Sequence, residues 1–207
     1  MGKIPFLLLA ILPALFIGCV GQKEGAAPAL PAEGTIPASS FSFPQVPVQY
    51  AAHYVVNENG AETVKSVWAS GNRMRIELSD GGSGYFSLYF LGNRAYSCAA
   101  PGQNASCFEV SSRVSIKPDE VLPCQYLEGS EQAEEVDIGG TAGRCYLKPY
   151  GVFGKRKICC TERGVLAYDE YNQTGGKTHV EYLTDISYSA KDEDFLLPAT
   201  PKNAPEE

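Results

Sequence analysis

Apolar and polar residues alternate along much of this chain. In SGNRMRIEL, Met74, Ile76 and Leu78 fall on one side of an extended backbone and Arg73, Arg75 and Glu77 on the other, which predicts a half-buried β-strand. YAAHYVV, then NENG, then AETVKSVWA reads as a hairpin, because Asn-Gly supplies the left-handed backbone that a tight turn needs. YFSLYFL, RAYSCAA, SCFEV, GRCYLKPY, KRKICC, GVLAYDEY and THVEYLTDISYS continue the series, separated by turn residues. In the last of these, Val180, Tyr182, Thr184, Ile186 and Tyr188 are expected on one side.

About eight to ten short, sequentially adjacent strands favour a mainly β fold with minor α: a single antiparallel curved sheet or a half-open β-barrel. The stretch from Ser112 to Glu135 departs from the pattern. It holds Pro118 and Pro123, then the charge-rich LEGSEQAEEVD, and predicts one or two short helices starting near Pro118 or Ser130. A sheet with an apolar face needs a cover, and this insertion is the candidate lid.

The N-terminus follows a different pattern. After Lys3, the run from Ile4 to Val20 carries no charge, as in an export signal, and Pro5 and Pro13 interrupt it, which disfavours a permanent membrane span. Phe16-Ile17-Gly18-Cys19 resembles the lipobox of prokaryotic lipoproteins, although Phe16 stands where leucine is usual. That resemblance implies cleavage after residue 18 and a diacylglyceryl group on Cys19; an uncleaved N-terminal anchor and a free secreted product are the alternatives.

Residues 19–48 are rich in Pro, Ala and Ser, and such a segment serves as an extended stalk of roughly 60–90 Å. Residues 49–198 form the folded domain, and 199–207 read as a disordered tail.

Composition narrows the partners. A formal net charge of −7 argues against nucleic acid and against a polybasic grip on anionic lipid, so contact with the membrane falls to the N-terminal anchor. The chain has seven cysteines. With Cys19 given to lipid, Cys98, Cys107, Cys124, Cys145, Cys159 and Cys160 make an even set for disulfides in an oxidising, extracytoplasmic compartment.

Cys98 and Cys107 end consecutive strands and predict a clasp. Neighbouring residues on a strand point to opposite faces, so Cys159 and Cys160 take different partners. The expected bonds are Cys145–Cys160 and Cys124–Cys159, with the exchange of these two partners nearly as well supported.

Catalytic and metal-binding groupings are sparse. GxSxG, HExxH, GxGxxG and the P-loop pattern are absent, and so are CxxC and HxxxH. His53 and His179 stand alone within predicted strands, and Asp169 and Glu170 read as ordinary surface acids. Asp192, Glu193 and Asp194 offer oxygen ligands for calcium, but such a run is more often a solvated bend before a buried anchor, here Phe195. Asn104 and Asn172 each begin a glycosylation sequon in a predicted turn. No cofactor and no enzymatic activity are expected.

WxSGNRMRIE after the first hairpin, then GRCY, ICCTERGVLAYDEY and the closing DEDFLLPA resemble the lipoprotein-localisation (LolA/LolB-like) superfamily over about residues 50–198. The resemblance implies a half-open antiparallel barrel or strongly curved sheet, closed by helices over an apolar cavity that receives acyl chains. The function expected is therefore an anchored extracytoplasmic domain that binds a lipid or other apolar ligand; the alternative is a cell-surface structural or protein-interaction module without a small ligand.

Overall fold

The computed structural model describes residues 43–79, 84–101, 104–114, 117–138 and 141–204. Cys19, the 1–18 signal and the stalk up to residue 42 lie outside the described residues.

Two meanders make up the sheet. The first runs β1 (Val46–Glu58), β2 (Ala61–Gly71), β3 (Arg73–Ser79), β4 (Gly84–Leu91), β5 (Arg94–Pro101) and β6 (Ser106–Glu109). The second runs β7 (Glu131–Ile138), β8 (Thr141–Pro149), β9 (Lys155–Thr161), β10 (Leu166–Asn172) and β11 (Thr178–Ser187). The turn between β1 and β2 is the expected one, with Asn59 and Gly60 both at positive φ.

The meanders join where β1 pairs antiparallel with β11, and the final short strand β12 (Pro201–Asn203) adds to β6. Among the described residues the order is β12-β6-β5-β4-β3-β2-β1-β11-β10-β9-β8-β7, twelve strands in one sheet that does not close into a barrel. The sheet is thus mainly β as expected, with two differences: twelve strands rather than eight to ten, and a parallel β12–β6 pair in an otherwise antiparallel ladder.

Topology decides what covers each face. The chain leaves β6 near one edge and must enter β7 at the opposite edge, ten interstrand spacings or about 48 Å away on a flat sheet. It crosses what we call the inner face, through helix α1 (Pro118–Val121) and a 3₁₀ turn at Pro123–Gln125. The helix begins at Pro118, where proline's missing N–H costs nothing.

Ser130 begins no helix. Glu131–Ile138 is the edge strand β7, whose Glu131, Glu134 and Glu135 lie in the open, and charge of this kind guards an edge against pairing with another chain. The second crossing runs from β11 over the outer face of β3–β5 to β12.

Both domain bounds differ from the sequence reading. Phe43 is buried, stacks on Phe90 with ring centres 5.0 Å apart, and donates its N–H to the Gly92 carbonyl; Val46 is buried beside it. These side chains are apolar enough to enter the core, so the fold begins before residue 49. At the other end the 199–207 tail is partly ordered, because Leu197 and Ala199 pack on Tyr89, Tyr96 and the Cys98–Cys107 clasp and steer Pro201–Asn203 onto the free edge of β6. Asp192–Phe195 forms the expected bend, with Phe195 as the buried anchor.

In β11 the pairing shifts between His53 and Tyr54 of β1, so that Leu183 meets Tyr54 while Asp185 meets His53. The extra residue, Thr184, flips the alternation. Val180 and Tyr182 point outward, whereas Ile186 packs into the inner core; the single-sided reading of this strand is corrected accordingly.

Candidate functional site

The inner face is where the architecture concentrates its apolar surface. Register aligns Tyr50 with Ala69, Ala52 with Val67, and Ala69 with Met74, which in turn faces Phe90. Small residues beside large ones let the floor interdigitate, and Ala52, Ala69, Met74 and Ala167 are fully enclosed. Leu122 of the crossing drops into this floor, with Val121 packed at its margin.

Between Val46, Tyr50 and Leu166 of the sheet and Val121, Leu122 and Cys124 of the crossing lies a crevice of about 20 Å³. That is room for roughly one water molecule, far below the several hundred Å³ of a small-ligand pocket.

The crossing is tied down by a disulfide. Cys145 stands directly opposite Cys159, and the two bond across β8 and β9 on the outer face. Cys160, one residue on, points to the inner face and bonds Cys124. The connectivity is therefore the exchange of the favoured pairing: the directly opposed Cys145 and Cys159 share one face, which leaves Cys160 as the sulfur beneath the crossing. Cys98–Cys107 is the expected clasp, joining opposed residues of β5 and β6. Gly143 permits the close approach of β8 to β9 here, since a Cβ would lie 2.9 Å from the Cys160 carbonyl oxygen.

Beyond the crossing the inner face changes character. Lys65 Nζ donates to both carboxylate oxygens of Glu181, at 2.7 and 2.9 Å, straddling β1. His179 lies 3.2 Å from Glu58 through Nδ1 and 3.7 Å from Glu181 through Nε2, and stacks on Tyr171. Arg156 grips Asp169 with two bonds, Nε to Oδ1 at 2.8 Å and a terminal nitrogen to Oδ2 at 2.6 Å, and Tyr150 packs against Tyr171.

Burial opposes charge on Glu181, yet the Lys65 ammonium and the His179 contact outweigh it and hold its pKa below the ordinary value of 4.5. Burial likewise opposes a charged His179, but Glu181 and Glu58 prevail and raise its pKa above 6.5. Burial alone is the main cause that lifts the Tyr171 hydroxyl to about 12.

Beside this network, Leu78 and Phe86 face each other across β3 and β4 and remain 38 % and 39 % exposed on the same inner face. The face is thus amphipathic: an apolar floor under a covalently tethered cover, an open apolar pair, and a buried ionic patch.

This geometry has relatives among solved structures. A chain of the Pseudomonas aeruginosa MucA/MucB complex aligns with a TM-score of 0.52 at 11% identity, over 72% of this chain and 56% of that one. The chain has a LolA-like fold. A LolA superfamily protein from Nitrosomonas europaea aligns over 77% of this chain and 94% of its own, at 10% identity and a TM-score of 0.34. No family model and no curated protein sequence matches the chain. The chain spans just over half the length of the MucA/MucB-complex chain, and identities this low speak for the fold alone.

The other sequence candidates are scattered over the LolA-like sheet. His53 sits on the outer face, 2.8 Å from the Ser66 hydroxyl and edge-on to Trp68. Asn104 is exposed in the turn before β6, and Asn172 is exposed at the end of β10. Among the described residues no group of His, Cys, Asp or Glu is arranged to hold a metal ion, and no helix is long and apolar enough to cross a membrane.

Asp169, read as a surface acid, is in fact buried against Arg156. The whole ionic patch escaped the sequence reading. Its one legible trace is the arrangement of His179, Glu181 and Leu183 on the same side of β11, polar residues sharing a face with an apolar one.

Proposed function

We propose that this chain is an extracytoplasmic domain, held to the membrane through a lipid on Cys19, that binds a lipid or other apolar molecule on the inner face of its sheet. Its role is binding rather than catalysis. The observation that carries the reading is the apolar floor formed by Tyr50, Val67 and Met74, covered, among the described residues, by a crossing whose short helix and 3₁₀ turn lead Leu122 and Pro123 into burial. Three disulfides fit an oxidising compartment.

In this structure the crevice is closed, so an acyl chain enters as the crossing lifts, passing over Leu78 and Phe86. The test is to extract the purified chain with organic solvent for mass spectrometry and to titrate it with a dansyl-labelled fatty acid. A co-purified lipid or saturable uptake, abolished when Leu166→Trp fills the crevice, is expected; no extracted lipid and no uptake would refute the reading.

A second reading, a protein-interaction module, rests on the outer face. There Val64, Val55, Tyr182 and Tyr168 form one cross-strand row, with Val64 46 % and Tyr182 38 % exposed. The P. aeruginosa MucB structure is one solved with a protein, MucA, bound. Crosslinking on intact cells that returns no reproducible partner would count against this reading.

A further inference from the structure

We propose that the Cys124–Cys160 disulfide is a thiol-sensitive latch, whose reduction frees the crossing and opens the inner face. This deepens the binding reading above and rests on it for what the open face receives.

The three bonds differ in access. Cys98, Cys107, Cys145 and Cys159 are each 1% exposed or less, and Cys160 is 5% exposed, whereas Cys124 is partly exposed and lines the crevice rim. An attacking thiolate therefore meets one disulfide before the others. Among the described residues the same bond is the one disulfide that ties the crossing to the sheet. What remains without it is non-covalent: burial of Leu122 and Pro123, packing of Val114 and Val121 at the core's margin, and Lys148, whose ammonium reaches Asp119 at 3.4 Å and donates to the Tyr126 carbonyl at 2.9 Å.

The reductant is a dithiol, either a small molecule or an oxidoreductase. One of its thiolates attacks Sγ of Cys124, and the S–S bond breaks with its electron pair passing to Sγ of Cys160. The reductant's second thiolate then attacks its own sulfur in the mixed disulfide, closing the reductant's disulfide and expelling Cys124 as thiolate. Both cysteines take up a proton, and two electrons have passed to the protein. The freed Cys160 does not scramble the neighbouring bond, because Cys159 and Cys145 lie on the opposite face of the sheet. The sheet keeps its two cross-strand staples while the cover loses its tether.

The experiment uses the full chain in graded dithiothreitol, with iodoacetamide trapping and peptide mass mapping, hydrogen exchange over residues 118–126, and uptake of dansyl-labelled undecanoic acid. Cys124 and Cys160 should be trapped at a reductant concentration at least tenfold below that needed for the other four. The crossing's amides should then exchange at least tenfold faster, and probe uptake should rise several-fold and reverse on reoxidation. The double variant Cys124→Ser with Cys160→Ser should show both effects without reductant. Simultaneous opening of all three disulfides, or unchanged exchange in 118–126 after selective reduction, would overturn the latch. Equal uptake by oxidised and reduced protein would also overturn it while leaving the binding reading intact. A freed crossing with no uptake at any reductant concentration would instead overturn the binding reading.

Discussion

Replacing Asp169 with asparagine isolates the energetics of the buried ionic patch. The carboxylate accepts both arms of the Arg156 guanidinium, and the two side chains are only 4% and 9% exposed. Asparagine keeps the shape and one acceptor, but it turns an N–H donor toward a guanidinium N–H and leaves the cation buried without its counter-charge. Breaking such a pair costs about 3–5 kcal/mol.

With a urea m-value of about 2 kcal/mol/M, the midpoint of unfolding should fall by roughly 1.5–2.5 M. Circular dichroism through a urea titration of the oxidised protein measures this directly. The companion variant Arg156→Met with Asp169→Leu removes both charges, and because desolvation is then also relieved it should lie within about 1 kcal/mol of the parent. A loss below about 1 kcal/mol in Asp169→Asn, or an equal loss in the double variant, would refute the premise that the pair is desolvated and mutually dependent.

Stability should also vary with pH through the neighbouring groups. His179 binds its proton more tightly folded than unfolded, so its contribution is whole below pH 6.5 and is lost as pH rises through its raised value; Glu181, held low, contributes fully above pH 4.5 and loses that as pH falls through its lowered value. Melting temperatures should therefore peak between these limits, and His179→Gln should flatten the alkaline limb while also weakening the acid limb, since one of the contacts that hold Glu181 low is lost with it; an unaltered alkaline limb would contradict the assignment. Among the disulfides, loop entropy ranks Cys124–Cys160, with a separation of 36, above Cys98–Cys107, with a separation of 9. Paired serine substitutions should cost about 4 and about 2.5 kcal/mol respectively in urea titrations, and the reverse order would refute an unfolded-state origin.

What the sequence revealed and what it hid follow one physical line. The first hairpin, the alternating Arg73–Ser79 strand and the Cys98–Cys107 clasp are legible because local pattern and turn chemistry determine them. β7 is illegible because an edge strand with charge on both faces has no apolar period to read. β12 is three exposed residues held by a neighbour's free edge. The bulge at Thr184 shifts phase by one residue, which is invisible without the partner strand. The ionic patch joins Lys65 to Glu181 across 116 residues, and in sequence each looks like a solvated charge. Of the candidate site, the covering insertion and the use of Cys160 or Cys159 to hold it were foreseeable; which of the two adjacent sulfurs does so depended on cross-strand register.

The junction of β1 with β11 sets the order in which this molecule can assemble. Every other antiparallel pair links strands adjacent in sequence and closes a short loop, so each meander can zip locally within its own half. The junction instead joins residues such as Asn59 and Thr178, separated by 119 positions, and most of its entropy must be spent before any ladder bond repays it. Both halves expose strand edges until that closure: β1 on one, β11 on the other. A chain emerging from its N-terminus therefore carries β1 as an unsatisfied edge until nearly all of the domain has been delivered, and the final residues then seal β6.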